Sequence, residues 1–325
     1  MGLAGYAVLL VVGFIALIKG ADLFVDGSSG LAKNFRVPGV VIGLTIVAMG
    51  TSAPELAVST SAALKGANEI ALSNVIGSNI FNLLVVLGIC AVIHPMPIDK
   101  TIIKRDFPIS IGITVLTLIA VGAPFLISGN IAEAKMSDNI GEVSRIYSII
   151  LLGMFVSYIA MLIISARKDP QEEDGTEPKP LWQCILLILV GVACIIAGGQ
   201  FVVNSAKAIA VGFGVSETLI GLTIVALGTS LPELVTSIVA SRKGENGLAV
   251  GNVVGSNIFN ILFILGVSCT IHPIAVNFAS LIDMAVLIAV SLMTLIFAGS
   301  KNIGRVRGAV MVAVYIADVV FAVLR

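Results

Sequence analysis

Two glutamates, Glu55 and Glu233, stand inside apolar segments, each at the end of a Gly-Thr-Ser-x-Pro-Glu motif. In the first motif, Thr51 and Ser52 precede the glutamate by four and three positions, so all three side chains share one face of a helix. Hard cations prefer oxygen donors of this kind. A charge inside a bilayer is costly, and no Lys or Arg lies in the central part of either segment. The pattern therefore predicts that a bound cation neutralises the carboxylates.

The second glutamate has the same hydroxyl neighbours, Thr229 and Ser230. A polar stripe with spacing i, i+4, i+8 follows each glutamate on the next apolar segment. The two stripes are Asn74, Ser78 and Asn82, and Asn252, Ser256 and Asn260. Hydrogen bonding between helices is the ordinary role of such a stripe in a membrane. Because each stripe faces a carboxylate in both copies, we predict that both line a cation site.

Proline and glycine define the backbone around each glutamate. Pro54 and Pro232 lack the N–H that would bond the carbonyl four residues earlier, so the helix is expected to break there. Broken helices at membrane depth can present carbonyls to an ion. The carbonyls expected to do so are those of Ala48, Thr51, Ala226 and Thr229. Gly77 and Gly255 are expected to let the facing helices approach closely.

Both motifs belong to a duplicated unit. Residues 43–95 align without a gap to residues 221–273, at a constant offset of 178 positions, and 32 of the 53 aligned positions are identical. A repeat of this length indicates duplication of a whole structural unit. Each candidate residue therefore has an equivalent 178 positions away.

The composition places these motifs in a membrane. The chain is 58% hydrophobic and 12% charged, with a mean hydropathy of +1.09, and apolar runs of about 20 residues recur along it. A net charge of zero argues against nucleic acid as a partner. We predict an all-α polytopic membrane protein whose partner is the lipid bilayer, which functions as a monomer and needs no organic cofactor.

Ten spans are predicted, at about 3–29, 39–62, 70–93, 106–122, 147–165, 182–210, 217–241, 249–271, 281–298 and 306–324. They form a first five-helix repeat at 1–165 and a second at 181–325. A charged, proline-containing linker at 166–180 joins the repeats, because such a segment cannot enter a bilayer.

The number of spans and the basic residues together predict an orientation. Because each repeat has five spans, the second repeat starts on the opposite side of the membrane, which gives an inverted-topology repeat. Of the 19 Lys and Arg residues, 13 fall in one set of alternate loops and five in the other. Positive charge accumulates in cytoplasmic loops. We therefore predict a protein of the cell (plasma) membrane with both termini outside and the linker in the cytoplasm.

The paired Gly-Thr-Ser-x-Pro-Glu and Gly-Ser-Asn-Ile-Phe-Asn motifs resemble the two α-repeats of the cation/calcium antiporter superfamily, in its prokaryotic sodium/calcium exchanger branch. The resemblance covers all ten spans. It implies an exchanger of Na⁺ for Ca²⁺ with three Na⁺ per Ca²⁺. It also implies four clustered cation sites between spans 2, 3, 7 and 8. Spans 1 and 6 would slide as a pair against the other eight.

The resemblance also implies roles for individual residues. Glu55 and Glu233 would bind both ions, and the carbonyls of Thr51 and Thr229 would join them on calcium. Asn82 and Asn260 would complete the centre. The flanking sodium sites would use Ser52, Ser78, Ser230 and Ser256, with the carbonyls of Ala48 and Ala226. Some family members carry Asp at the position of Asn260, which leaves proton sensitivity and potassium dependence open.

Three alternatives remain at this point. A proton/calcium antiporter of the same superfamily usually shows Gly-Asn-x-x-Glu where this chain has Gly-Thr-Ser-Ala-Pro-Glu. An intramembrane enzyme could use Glu55 and Glu233 as general acid and base, but the sequence offers no nucleophile–His pair. A cation channel would conduct without a counter-ion, whereas the repeat and the two broken helices favour alternating access.

Overall fold

The computed structural model describes residues 2–66, 68–128, 135–168, 179–213, 226–300 and 302–324. The architecture is helical, as predicted. Among the described residues, eight helices are long and apolar enough to cross a bilayer, and one bent pair of helices makes a ninth span. The remaining predicted span, 217–241, begins outside the described residues. The predicted linker lies outside them from 169 to 178.

The helices of the first half are α1 (Leu3–Phe35), α2 (Gly39–Thr51), α3 (Ala53–Leu64), α4 (Asn68–Phe81, Asn82–Val86 and Leu87–Ile93), α5 (Ile102–Asp106 and Phe107–Ser128) and α6 (Arg145–Lys168). Those of the second half are α7 (Leu181–Gly212), α8 (Ala226–Gly228), α9 (Leu231–Arg242), α10 (Asn246–Phe259, Asn260–Leu265 and Gly266–Ile271), α11 (Phe278–Ala298) and α12 (Arg305–Leu324). The first helix is six residues longer than predicted, and α6 continues three residues into the predicted linker.

Within the described ranges, four helical segments adopt the wider π-helical geometry, which the sequence analysis did not anticipate. They are Gly43–Val47, Asn82–Val86, Ile102–Asp106 and Asn260–Leu265. Two of them begin at Asn82 and Asn260, the equivalent last residues of the two polar stripes. Single π-turns inside α-helices are frequent at functional sites. The two copies therefore share a backbone irregularity as well as a motif.

The chain divides into two compact units, Met1–Pro54 with Ile164–Val253, and Glu55–Ile163 with Val254–Arg325. In the first unit, α1 and α7 pack antiparallel along a seven-residue register of small side chains. A Cβ added to Gly13 would lie 2.9 Å from the carbonyl oxygen of Gly198, and one added to Gly27 would lie 2.7 Å from that of Cys184. Glycine therefore permits backbone contact along both helices, as in other membrane helix pairs.

A cluster of charges also joins α1 to the segment between α9 and α10 in the first unit. The Nζ atom of Lys243 lies 2.6 Å from carboxylate oxygens of both Asp22 and Asp26. Burial by itself lowers the pKa of Lys243, but its hydrogen bonds to the two aspartates and the attraction of their charges together raise that pKa above its ordinary value. Asp22 therefore binds a residue 221 positions away, although Lys19 stands closer in sequence.

In the described part of the second unit there are two short antiparallel β-pairs, which an all-α prediction omits. Strand β1 (Met96–Pro97) pairs with β4 (Asn302–Ile303), and β2 (Asn139–Val143) pairs with β3 (Ile274–Asn277). Each pair joins one strand from each half of the sequence. The strands lie between helices, where the backbone needs hydrogen-bond partners outside any helix. The helical fold class is confirmed, with these pairs as an addition.

Candidate cation site

Each candidate glutamate lies at the start of a helix that follows a break in the backbone, as the prolines predict. The backbone leaves helical geometry at Ser52 (φ −82°, ψ 9°) and at Ser230 (φ −91°, ψ 6°), and α3 and α9 start at the next residue. Glu55 and Glu233 therefore lie in the first turns of α3 and α9. The positive end of the helix dipole stabilises a carboxylate at this position. The predicted break in the helix is confirmed in both copies.

The candidate side chains on these helices are deeply buried. The relative exposure is 0% for Glu55 and Glu233 and equally 0% for the hydroxyl residues Thr51, Ser52 and Ser230. Thr229 is partly exposed. A carboxylate removed from water needs charge-assisted hydrogen bonds or a cation to stabilise its charged form. The burial predicted for both glutamates is thus present.

In the first unit the two sequence copies contact one another directly. The hydroxyl of Ser52 donates a hydrogen bond of 2.7 Å to Oε1 of Glu233. The neighbouring hydroxyl, on Thr51, donates a 2.9 Å bond to Oδ1 of Asn252. Ser52, three positions before Glu55, has the sequence signature of a helix N-cap. Its hydroxyl also binds the carboxylate of the other copy.

The first members of the polar stripes hold the broken helices in place, in the same way in both units. In the first unit, Nδ2 of Asn252 donates to the hydroxyl of Ser237 at 3.0 Å and to the carbonyl of Glu233 at 3.5 Å. In the second unit, Nδ2 of Asn74 donates to the hydroxyl of Ser59 at 2.9 Å and to the carbonyl of Glu55 at 3.3 Å.

The sequence analysis did not identify Ser59 and Ser237. Each serine follows its glutamate by four positions and lies on the same helical face. The two serines are equivalent residues of the two copies. This spacing from the glutamates was the sequence signal that could have identified the two serines. These contacts assign Asn74 and Asn252 to the ordinary stripe role of fixing one helix against another.

The last members of the stripes, Asn82 and Asn260, are buried in the second unit. Nδ2 of Asn82 donates to Oδ1 of Asn257 at 3.1 Å, and Nδ2 of Asn260 donates to Oδ1 of Asn79 at 2.9 Å. Among the residues that the structure describes, no hydrogen-bond partner is found for the buried Oδ1 atoms of Asn82 and Asn260. Two amide oxygens are therefore available as ligands.

The remaining candidates lie on the same helices. Ser78 and Ser256 are buried on α4 and α10. The carbonyl of Ala48 in α2 accepts the backbone N–H of Ser52 at 3.0 Å and lies 3.3 Å from the hydroxyl of Thr51. Ala226 opens the short helix α8, and its side chain lies outside the described part of the structure.

The expectation for Gly77 is wrong. A Cβ added to this residue would meet nothing within 4 Å, and the residue is exposed. Close approach occurs at another pair of glycines, in the first unit. A Cβ on Gly43 would lie 2.7 Å from the carbonyl oxygen of Leu248, and one on Gly251 would lie 2.6 Å from that of Val40. The backbones of α2 and α10 thus pack through these equivalent glycines, whose close spacing a side chain would prevent.

The donor atoms available in each unit are carboxylate, hydroxyl, amide and carbonyl oxygens. No group of three or more His, Cys, Asp or Glu side chains that could hold a metal is found within the described ranges. A tightly held soft metal would use imidazole or thiolate ligands, whereas oxygen donors suit Na⁺ and Ca²⁺. The chemistry of the donors suits hard cations.

Known proteins share this architecture. The family described as "Sodium/calcium exchanger protein" matches residues 5–164 and 184–324. The sodium/calcium exchanger MaX1 of Methanosarcina acetivorans is 32% identical over 342 residues, which cover 96% of this chain and 97% of MaX1. The inner membrane protein YrbG of Escherichia coli is 35% identical over 280 residues, which cover 82% of this chain and 79% of YrbG.

A solved structure of the sodium-calcium exchanger NCX_Mj, soaked with 10 mM Na⁺ and no Ca²⁺, superposes with a TM-score of 0.83. Its sequence is 30% identical, and the match covers 98% of this chain and 99% of that one. Apolar spans, broken helices and buried carboxylates on this fold define an integral membrane protein of the cation/calcium antiporter class. The chain belongs to the sodium/calcium exchanger family. Its relatives are transporters rather than enzymes.

Proposed function

We propose that the protein exchanges Na⁺ for Ca²⁺ across the membrane by alternating access, with three Na⁺ moving against each Ca²⁺. The observation that carries the proposal is the burial of Glu55 and Glu233 at helix breaks beside oxygen donors. Their equivalence, 178 positions apart, fits a site made of two matched halves. The similarity to MaX1 and NCX_Mj, which are both described as sodium/calcium exchangers, supports Na⁺ as the counter-ion.

The transported ions would bind through the residues assigned from the sequence. Glu55 and Glu233 bind both ions in this proposal, and the carbonyls of Thr51 and Thr229 add calcium ligands. The available Oδ1 atoms of Asn82 and Asn260 complete the centre. The sodium ligands are Ser52, Ser78, Ser230 and Ser256, with the carbonyls of Ala48 and Ala226. With Asn in both central positions, the site carries two negative charges, which balance one Ca²⁺.

We further propose ten spans arranged as two inverted five-helix repeats, 1–165 and 181–325, with the linker at 166–180. The β-pairs of the second unit support the inversion. Strand β1 precedes α5 and β2 follows it, so the two β-pairs lie at opposite ends of that helix. Strands β1 and β3 start at equivalent positions, 96 and 274, of the two copies. Equivalent points on opposite sides of a membrane are what an inverted repeat requires.

The orientation and the moving element complete the proposal. Both termini lie outside the cell membrane and the linker inside, on the basis of the positive-inside bias. The protein acts as a monomer. Helices α1 and α7 move as a pair during transport, and their backbone contacts at glycines support such joint movement. Each cycle would expose the cation site first to one side and then to the other.

Calcium uptake by proteoliposomes tests the proposal. The purified protein is reconstituted, and ⁴⁵Ca²⁺ uptake is measured with an outward Na⁺ gradient, an outward proton gradient, or neither. We expect uptake only with the Na⁺ gradient. Uptake driven by the proton gradient alone would show a proton/calcium antiporter instead. Uptake that follows calcium alone, with no counter-ion on the other side, would show a channel and overturn exchange.

A further inference from the structure

Two asparagines that have no assigned role, Asn79 and Asn257, form a reciprocal pair in the second unit. They are equivalent residues of the two copies, 178 positions apart. Nδ2 of Asn79 donates to the backbone carbonyl of Asn257 at 3.1 Å, and Nδ2 of Asn257 donates to that of Asn79 at 3.2 Å. Both residues are buried, with exposures of 0% and 1%. This reciprocity is the contact pattern of two elements related by a two-fold axis.

The backbone carbonyls fix the orientation of both amides. A carbonyl oxygen can only accept a hydrogen bond, so the nitrogen and not the oxygen of each asparagine amide must face it. Oδ1 of Asn79 is thereby left as the acceptor that meets Asn260, at 2.9 Å, and Oδ1 of Asn257 meets Asn82, at 3.1 Å. Facing an acceptor, Asn82 and Asn260 must in turn present their nitrogen atoms.

The consequence reaches the proposed ligands. Because the nitrogens of Asn82 and Asn260 are committed to hydrogen bonds, their oxygens point the other way. These are the two buried Oδ1 atoms for which the described residues provide no hydrogen-bond partner. A rotated amide would direct two N–H donors at the same place, and donors repel a cation. The orientation of the amides thus decides whether the location attracts or rejects a positive ion.

We propose that Asn79 and Asn257 are positioning residues that hold the side-chain oxygens of Asn260 and Asn82 as cation ligands. The assignment crosses the repeat, because Asn79 of the first copy orients Asn260 of the second, and Asn257 orients Asn82. It rests on the proposed function, in which Asn82 and Asn260 bind the transported ions. Neither positioning residue contacts the ion.

Binding of ⁴⁵Ca²⁺ to the purified protein in detergent, at pH 8.5, tests the assignment. Asn79→Ala removes the acceptor that orients Asn260, so we expect the dissociation constant for Ca²⁺ to rise at least tenfold. Elution as a monodisperse peak identifies folded variants. If Asn79→Ala does not fold, Asn79→Leu preserves the volume and removes the same acceptor. Calcium binding by either folded variant with unchanged affinity would overturn the inference.

A rescue experiment separates positioning from a merely structural role. A carboxylate has oxygen on both sides and needs no orienting partner, so Asn260→Asp should restore calcium affinity in the Asn79→Ala background. Asn82→Asp should restore it in the Asn257→Ala background. The crossed combinations, Asn257→Ala with Asn260→Asp and Asn79→Ala with Asn82→Asp, are the matched controls, and no rescue is expected in either.

The outcomes distinguish the inference from the proposed function. Equal rescue by matched and crossed pairs would show a general effect of added charge and would overturn the positioning role. If the matched pairs bind calcium no better than Asn79→Ala and Asn257→Ala alone, the two residues act on packing, and the inference also fails. Failure of the unmodified protein to bind Ca²⁺ would instead remove the proposed function on which the inference rests.

Discussion

Ser52 and Glu233 are joined by a hydrogen bond of 2.7 Å across 181 positions of sequence. Each belongs to a different copy of the duplicated motif. A hydroxyl from one copy therefore stabilises the carboxylate of the other, and both groups are fully buried. The two copies are consequently interdependent at the level of single hydrogen bonds, and a substitution in one is expected to affect ion binding by the other.

The carboxylates themselves give the most direct prediction. Glu55→Gln and Glu233→Gln should each reduce sodium-driven calcium uptake to the level of empty liposomes, because each removes a charged ligand that water cannot replace at that depth. Glu142→Gln is the matched control, since Glu142 is an exposed residue of β2, and its uptake should equal that of the unmodified protein. Near-normal exchange by either folded site variant would remove that glutamate from the site.

Asn260→Asp should make transport sensitive to pH. The new carboxyl would face Oδ1 of Asn79, at a place where the native amide donates over 2.9 Å. Two acceptors repel, and the proposed site already holds two carboxylates, so both effects raise the pKa of the new group above the ordinary value of about 3.9.

Transport by Asn260→Asp should therefore change as the pH passes through the raised pKa, because the added charge is present above that pKa and absent below it. Asn139→Asp, on an exposed strand residue, serves as the control and should keep the parental profile. Uptake measured from pH 5 to pH 9 tests this. A profile for Asn260→Asp that matches the parent would place Asn260 outside the charged cluster.

Three-for-one coupling should make exchange respond to voltage, since each cycle would move one net charge. A tenfold sodium gradient supplies about 1.4 kcal/mol per ion, or about 4 kcal/mol for three. A potential of 100 mV adds about 2.3 kcal/mol for the net charge. Together they support a calcium ratio on the order of 10⁴ to 10⁵, whereas electroneutral two-for-one exchange reaches only about 10².

A valinomycin clamp tests the coupling at a fixed sodium gradient. A negative interior should speed sodium entry coupled to calcium exit and slow the reverse reaction. The same vesicles clamped at zero potential provide the reference rates. Rates that stay equal at both signs of the potential would contradict three-for-one coupling without contradicting the identity of the ions.

The predicted orientation can be tested with single cysteines in a variant that lacks all four native ones. Gln171→Cys lies in the linker and should resist an impermeant thiol reagent added to intact cells. Ser137→Cys lies in the exposed segment before β2, on the predicted outer side, and should react. Permeabilised cells provide the control for reactivity. The reverse pattern, with only the linker labelled in intact cells, would invert the assigned topology.

The contact between α1 and α7 predicts a large penalty for a small substitution. A Cβ on Gly20 would lie 2.8 Å from the Cβ of Cys194 and 2.9 Å from the carbonyl of Gly191. Overpacking of this kind costs about 1–3 kcal/mol. Gly20→Ala should therefore lower the thermal unfolding temperature in detergent by several degrees. Gly112→Ala, where a Cβ meets nothing within 4 Å, should leave it unchanged. Equal effects would remove close packing as the explanation.

The sequence was sufficient for features that depend on local chemistry. Pro54 and Pro232 predicted the helix breaks because a missing N–H acts within one turn. Burial of Glu55 and Glu233 followed from their apolar surroundings. The seven-residue spacing of Gly13, Gly20 and Gly27 was also readable and would have predicted the tight face of α1.

Features that depend on partners remote in sequence could not be predicted. Asn79 lies three positions before Asn82 on the same helix, yet its side chain orients Asn260, 181 positions away. Lys243 similarly binds Asp22 and Asp26 from another part of the chain. Gly77 was assigned a packing role because glycine often has one, but its face of α4 is exposed. Periodicity specifies a face of a helix and leaves open what covers that face.

The register of α1 against α7 has a consequence for biosynthesis. Helix α1 ends at Phe35 and α7 starts only at Leu181, so the ribosome must synthesise roughly 150 residues before the glycines of α1 meet their partners. At about 5–20 residues per second, the interval lasts roughly 8 to 30 seconds. During that time the two aspartates of α1 also lack Lys243. Until the second half is made, the nascent first helix therefore has neither its helix partner nor the cation that pairs with its aspartates.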